Sequence, residues 1–239
     1  MKTEGRNAVL ELLNSDKTIE KIMIEKNPQG SLNKIFAQAR TKGVRVQFVD
    51  KKVLDKESAT GHHQGCIAIT SDFKYASLDD IISSANNPNG FIIICDGIED
   101  VHNLGSIIRV AECSGANGVV IPTNNSASVT EAVIRISAGA ANHMKVAKVN
   151  SVNRAIELLK KEGFWIYALE ADGTSIYDAD LKGKVALVIG GEDSGVKKLT
   201  REKCDFTLSL PLRGKVNSLN ASVALGIAAY EVLKAHDKK

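Results

Sequence analysis

The sequence predicts an α/β protein: a mostly parallel sheet with helices on both faces over residues 90–239, preceded by a smaller α/β unit over 1–72. Three observations carry this expectation. Apolar stretches of strand length alternate with helix-period stretches along the whole chain. Residues 91–95 (Phe-Ile-Ile-Ile-Cys) form an unbroken apolar run, the pattern of a strand buried on both faces. Asn86-Asn87-Pro88-Asn89-Gly90 breaks the chain just before that run, so residues 73–89 read as a linker holding one short helix over 77–82.

Taken in order, Ala8, Val9, Leu12 and Leu13 make the apolar face of a first helix. Ile22-Met23-Ile24 is a strand. Ser31 stands where an N-cap belongs, Leu32, Ile35, Phe36 and Ala39 follow at helical spacing, and Gly43 ends that helix. Val44, Val46 and Phe48 alternate as a strand does, and after the loop Gly61-His62-His63-Gln64-Gly65 a further strand runs over 66–69. Beyond the linker, strands are expected at 91–95, 118–121, 145–149, 164–169, 185–189 and 206–210. Helices are expected at 104–113, 130–137, 152–161 and 219–234. In such sheets ligands bind beyond the carboxyl ends of the strands, so the loops there are where chemistry belongs.

Composition excludes several classes. Hydrophobic residues are 44% and charged residues 25% of 239, which sets aside a disordered chain. No apolar run approaches the roughly 20 residues of a membrane span, and the start Met1-Lys2-Thr3-Glu4-Gly5 lacks the apolar core of a signal peptide. Cys66, Cys95, Cys113 and Cys204 are scattered with no C-x-x-C pair, so buried thiols in a reducing cytoplasm are expected rather than disulfides. His62-His63 alone makes no metal site, because zinc wants three or four ligands; no metal is expected. The net charge of +3 lies wholly in residues 1–72, with 12 Lys plus Arg against 9 Asp plus Glu, while the rest balances at 19 each. A basic front segment suits phosphate contacts, and it also occurs on ordinary surfaces.

Three loops stand out. After the 91–95 strand, Asn103 opens a helix that carries Arg109 among Ile107, Ile108, Val110 and Ala111; a structural salt bridge is the default for such an arginine, an anionic ligand the alternative. After the 185–189 strand comes Gly190-Gly191-Glu192-Asp193-Ser194-Gly195, where glycine permits close backbone approach to a ligand. This is neither a G-x-G-x-x-G fingerprint nor a P-loop, and a plain turn explains it as well. After the 206–210 strand, Leu210-Pro211-Leu212-Arg213-Gly214-Lys215 leads into Asn217, Ser218, Asn220 and Ser222. Capping accounts for one of these polar residues at a helix start, not for four.

Together the three segments resemble the SpoU/TrmH family of RNA ribose 2′-O-methyltransferases. Asn103, Gly105 and Arg109 match its first motif, residues 187–195 its second, and Leu210-Pro211-Leu212-x-Gly214 with residues 218–222 its third. The front segment resembles the family's small L30e-like RNA substrate-binding domain through residues 5–9 and His63-Gln64-Gly65. Asp193 stands where the family often has glycine, and Arg213-Gly214-Lys215 is more basic than usual.

The resemblance implies a catalytic domain with a trefoil knot (the SPOUT fold) over 90–239. It implies S-adenosylmethionine as cofactor, held by Gly190, Leu210 and Leu219 with Leu169 and Leu212 as neighbours. It implies a homodimer whose active sites lie between subunits, with rRNA as partner. Catalysis would fall to Asn103, Arg109, Glu192, Ser218 and Asn220. Because arginine stays charged in proteins, Arg109 reads as a clamp for phosphate and developing alkoxide rather than a base. RNA contacts would come from Arg6, His63, Gln64, Arg213 and Lys215. The implied substrate is a guanosine ribose in large-subunit 23S rRNA. A tRNA ribose methyltransferase and a non-catalytic RNA-binding protein of the same fold remain the alternatives.

Overall fold

The computed structural model describes residues 1–15, 17–71, 73–191 and 194–237, and the chain divides into two units, Met1–Lys74 and Tyr75–Lys239. The first unit runs β1 (Lys2–Glu4), α1 (Arg6–Leu13), β2 (Thr18–Glu25), α2 (Ser31–Thr41), β3 (Val46–Val49), α3 (Lys51–Glu57) and β4 (Cys66–Ser71). Its sheet order is β1-β4-β2-β3, with β2 and β3 parallel and β4 antiparallel to both of its neighbours. The two-residue period of β2 sends Ile22 and Ile24 toward α1 and α2, where Val9, Leu13, Leu32 and Ile35 bury them. Met23 points the other way, onto Leu54 of α3 and Val49. Charged residues dominate α3 and only Leu54 of it is buried, so its helical pattern is faint in the sequence.

The second unit begins with α4 (Leu78–Ser84) and continues β5 (Phe91–Asp96), α5 (Val101–Cys113), β6 (Gly118–Pro122), α6 (Glu131–Ile136), β7 (Val146–Val149) and α7 (Val152–Lys161). Then come β8 (Trp165–Ser175), β9 (Val185–Gly190), α8 (Lys198–Lys203), β10 (Phe206–Ser209) and α9 (Ala221–Asp237). All six strands are parallel, in the order β10-β8-β9-β5-β6-β7. Every residue of β5 and β9 is buried, as a sheet covered on both faces requires. On one face α4 and α7 cover Ile92, Ile94, Val120, Ala168 and Val188. On the other, α5 packs on α6 and α9, and α9 lies on β9. Chain order reverses between β6 and β9 on either side of β5, and ligands collect beyond the carboxyl ends of strands at such a switch point.

The stretch 73–89, expected as a linker, does more than connect. Its helix α4 starts on a full capping box between Ser77 and Asp80. Ile81 is completely buried, and a Cβ on Gly118 would stand only 2.6 Å from its side chain, so β6 carries glycine where α4 crosses it. Among the described residues no helix is long and apolar enough to cross a membrane. Ile81→Ala should therefore lower stability by about 2–4 kcal/mol, the cost of a core cavity, in urea unfolding followed by circular dichroism. A slack linker would show no change.

Candidate functional site

The loops after β5, β9 and β10 and the middle of β8 (Leu169–Ala171) converge on one region of the larger sheet. After β5, the Asp100 carboxylate caps α5, accepting the N–H of His102 at 2.8 Å and of Asn103 at 2.9 Å. This buries Asn103 in the first turn. Gly105 owes its place to packing: a Cβ there would come within 2.6 Å of Ile136 on α6. Arg109 lies six residues beyond Asn103, about 9 Å along the axis. It is exposed and makes no hydrogen bond or ion pair with any described residue, so the salt bridge that was its default reading is not formed.

The loop after β9 folds back on its own strand. Gly195 N–H donates to Gly191 O at 2.9 Å, and a Cβ on Gly190 would overlap Gly195 C at 1.9 Å. Two carboxylates hold this loop. Asp96, 2% exposed at the end of β5, accepts Lys197 N–H at 3.0 Å and pairs with its Nζ at 3.1 Å. Glu170, at the carboxyl end of the buried part of β8, accepts Val196 N–H. Neither acid was singled out from the sequence; the available signal was a lone acidic residue directly after an apolar strand run. Glu192, expected to be catalytic, and Asp193 lie outside the described residues.

The third loop, residues 210–220, is irregular, with Leu210 half-buried and residues 211–220 exposed. It ends on Asn220, whose Oδ1 caps α9 by accepting from Ser222 N–H at 3.0 Å, Ser222 Oγ at 2.6 Å and Val223 N–H at 3.3 Å. Its Nδ2 donates to Asn103 Oδ1 at 2.8 Å. One side chain thus starts α9 and joins the third loop to the first.

Between these loops lies a cleft of about 210 Å³. Gly190 and Ile189 form its floor, and Leu169, Leu208, Leu210, Leu212 and Leu219 its apolar walls. Glu170, Asn217 and Ser218 supply its polar rim. All five residues expected to hold a cofactor meet here, with Ser218. Arg109 does not: it lines a separate hollow with Glu112, Ser137, Asn142 and His143. The main cleft can enclose a flat apolar group between leucines while glycine backbone and rim side chains take up polar atoms.

In the first unit the loop 58–65 is tightly held. Glu4 accepts Ser58 Oγ at 2.5 Å, Ala59 N–H at 2.6 Å and Thr60 Oγ1 at 2.6 Å, and these bonds hold its carboxyl well below the usual range, at about 2. His63, expected at an RNA contact, is instead 4% exposed. Its Nδ1 accepts Gly65 N–H at 3.0 Å, which leaves the proton on Nε2 to face Asp55 at 2.9 Å. The ring shapes the loop from inside. Arg6 Nε donates to Gln64 O at 2.9 Å and Arg6 N–H to Gln64 Oε1 at 3.2 Å, so this pair also braces the loop, with Gln64 exposed. Arg213 and Lys215 stand exposed on the third loop.

The cysteines form no disulfide. Burial pushes the thiol of Cys66 up to about 11 and those of Cys95 and Cys204 to about 12, so these three stay protonated near neutrality. Among the described residues no three His, Cys, Asp or Glu side chains converge as a metal site.

The Asn103–Asn220 bond can be measured directly. In a double-mutant cycle of Asn103→Ala and Asn220→Ala, stability should show a coupling of about 1 kcal/mol. Strict additivity would mean the two amides do not act together.

Residues 90–230 match the SpoU rRNA Methylase family, and residues 3–76 match the RNA 2′-O ribose methyltransferase substrate binding family. YacO of Bacillus subtilis, which carries the name of a TrmH family tRNA/rRNA methyltransferase, is 41% identical over 234 residues, covering 96% of this chain and 94% of its own. An AdoMet-bound rRNA methyltransferase from Sinorhizobium meliloti shares the fold with a TM-score of 0.62 at 22% identity, over 98% of this chain and 86% of that one. A structure concerned with 2-OH methylation of C/U34 on tRNA matches with a TM-score of 0.57 at 25% identity, over 62% of this chain and 97% of its own.

Proposed function

Since the chain belongs to the SpoU rRNA methylase family, we propose that it transfers a methyl group from S-adenosylmethionine to a ribose 2′-hydroxyl of RNA, at a guanosine of large-subunit 23S rRNA. The observation that carries this reading is the leucine-walled cleft over Gly190, whose third-loop wall is tied to the first loop by the Asn103–Asn220 bond. Its donor set fits the cofactor: leucines for an adenine face, glycine backbone for close approach, and Glu170, Asn217 and Ser218 for hydroxyl and amino groups. The threading of the loops as the family's trefoil knot belongs to the same reading.

When bound, the cofactor supplies a methyl group on a sulfonium, which already carries a good leaving group. What remains for the protein is placement and charge. The leucine walls keep water from the methyl and fix its direction, so that much of the acceleration comes from holding the ribose oxygen in line. Asn103 and Asn220 set the position of the third loop, and Ser218 and Glu192 orient ribose and cofactor. Arg109 remains a cation, clamps an RNA phosphate that takes up the 2′-hydroxyl proton as the thioether leaves, and stabilises the charge that grows on the 2′ oxygen.

Arg109 lines a different hollow from the cleft of its own chain, which suits a homodimer in which each arginine serves the partner's cleft. The outer face of α9 supports this: Val223, Ile227 and Tyr230 are 51%, 37% and 51% exposed along one stripe, whereas Leu225, Ala228 and Val232 are buried on the other. The cytoplasm is the compartment proposed for this reaction. Two features favour rRNA over tRNA. The rRNA-enzyme structure matches nearly the whole chain, and the tRNA-related one matches only part of it. The front unit, with its basic excess, is proposed to capture RNA by shape through the loop braced by Arg6, Gln64 and His63.

Arg109→Ala should reduce methyl transfer by at least about a thousandfold, of the order seen when a preorganised charge stabiliser is lost, with cofactor affinity by calorimetry nearly unchanged. Mixed with a Gly190→Val variant, which keeps Arg109 but displaces the loop that shapes the cleft, it should regain part of the wild-type rate through hybrid dimers. Wild-type turnover of the single variant would remove Arg109 from the chemistry, and failure to complement would place both residues in one chain's site. A chain lacking residues 1–72 should bind rRNA fragments more weakly in filter titrations, while cofactor affinity holds. Equal RNA affinity would take capture away from the front unit.

A further inference from the structure

A second cleft, of about 510 Å³, lies at the β8–β10 edge of the larger sheet and shares only Leu208 with the first. Three aromatic rings build it. Phe206 pairs in register with Tyr167, their rings stacked with centroids 5.1 Å apart, and Trp165 tilts against Phe206 at 5.8 Å. Trp165 and Phe206 are 53% and 47% exposed, so two large adjoining aromatic faces meet solvent. Contiguous exposed apolar surface of this kind marks a place where something docks.

The rim says what kind of group. Asp178 and Asp180 line the cleft, and neither forms an ion pair with a described residue. The neighbouring acids differ: Asp172 is paired to Arg201 at 2.9 Å and Asp205 to Lys160 at 2.7 Å. Lys182 is the one cation among the lining residues. The Tyr167 hydroxyl donates to Asp180 O at 2.6 Å, and burial together with the charges of Asp180 and Asp205 pushes its pKa upward. The ring faces and the carboxylates therefore attract the same thing. A cation over an aromatic face gains from the ring quadrupole and here finds two carboxylates beside it, Asp178 and Asp180, the latter accepting only the Lys182 N–H at 3.2 Å among the described residues. A nucleotide stacked on the same rings would bring its phosphate against those carboxylates. Moreover β10 is an edge strand, bonded only to β8, so an extended peptide has backbone to run along.

We propose that this cleft receives an arginine or lysine side chain from an extended basic segment of a protein partner, laid over the adjoining exposed faces of Trp165 and Phe206 with Asp178 and Asp180 as its counter-charges. The proposal stands apart from the methyl-transfer cleft and uses none of its residues.

The protein has a single tryptophan, so fluorescence excited at the long-wavelength edge of absorption, where its four tyrosines do not absorb, reports on this cleft. The full chain is titrated with an acetylated, amidated Gly-Arg repeat peptide, with the matching Gly-Gln peptide and with oligouridylate. The expected result is a saturable, salt-sensitive change in Trp165 emission with the Gly-Arg peptide alone, weakened about tenfold in Asp178→Asn/Asp180→Asn. Unfolding curves and methyl-transfer rates of that variant are expected to match wild type; if it is misfolded, the single Asp180→Asn variant takes its place, with binding read by calorimetry. No response to the Gly-Arg peptide, an equal response to the Gly-Gln peptide, or affinity unaltered by the aspartate substitutions overturns the proposal. Saturation by oligouridylate in place of the peptide overturns it in favour of a base-stacking platform.

Discussion

Gly190 has no room for a side chain, and much of the site follows from that. The strand β9 ends there, and the chain folds back so closely that Gly195 and Val196 occupy the space a Cβ would need. With the loop pressed down in this way, Asp96 and Glu170 reach its backbone from the neighbouring strands β5 and β8, and Leu169, Leu210 and Leu219 close over what is left. A larger residue at 190 would lift the loop from both carboxylates at once. The two acids would then face each other's neighbourhood without their N–H partners, an expensive arrangement for a group as buried as Asp96. Parallel strands make the arrangement possible, because they deliver the loops after β5, β9 and β10 to the same end of the sheet.

The parts of the fold that were legible in the sequence are those where one local signal dominates. Residues 152–161 form a helix with the bounds read from the pattern, because Ser151 caps it and an apolar stripe of Val152, Ala155, Ile156 and Leu159 runs along it. The run Phe-Ile-Ile-Ile-Cys could only be a strand covered on both sides. Where pairing between distant segments decides, the pattern is silent. β8 continues past residue 169 to Ser175 through Glu-Ala-Asp-Gly-Thr-Ser, a stretch without strand character, because β10 pairs with Thr174 and Ser175 across a bulge.

The site shows the same division. The five cofactor-cleft residues could be named in advance because the motifs resemble a known family, and the structure brings all five to one cleft. Gly105 looked like part of a chemical motif, yet its contact with Ile136 gives it a packing role. His63 sits in a loop that reads as exposed, but its ring turns inward, since Gly65 N–H and Asp55 satisfy both nitrogens. The partner of a side chain is set by three-dimensional proximity, which no spacing rule supplies. For the same reason Arg109, flanked by isoleucines and valine, reads by default as a structural salt bridge and turns out to be a solvent-facing charge with no ion pair to a described residue. Such a cation is inexpensive to keep in water and ready to be desolvated by an incoming anion.

The burial of Ile81 bears on how the chain can be divided. A fragment beginning at Gly90 would satisfy every motif yet leave the concave spot over Gly118 bare, exposing Ile92, Ala147 and Ile156 where α4 had shielded them. Such a fragment is expected to be sticky and poorly soluble. The excision point that respects the interior lies ahead of Tyr75, fifteen residues upstream of the homology boundary at 90.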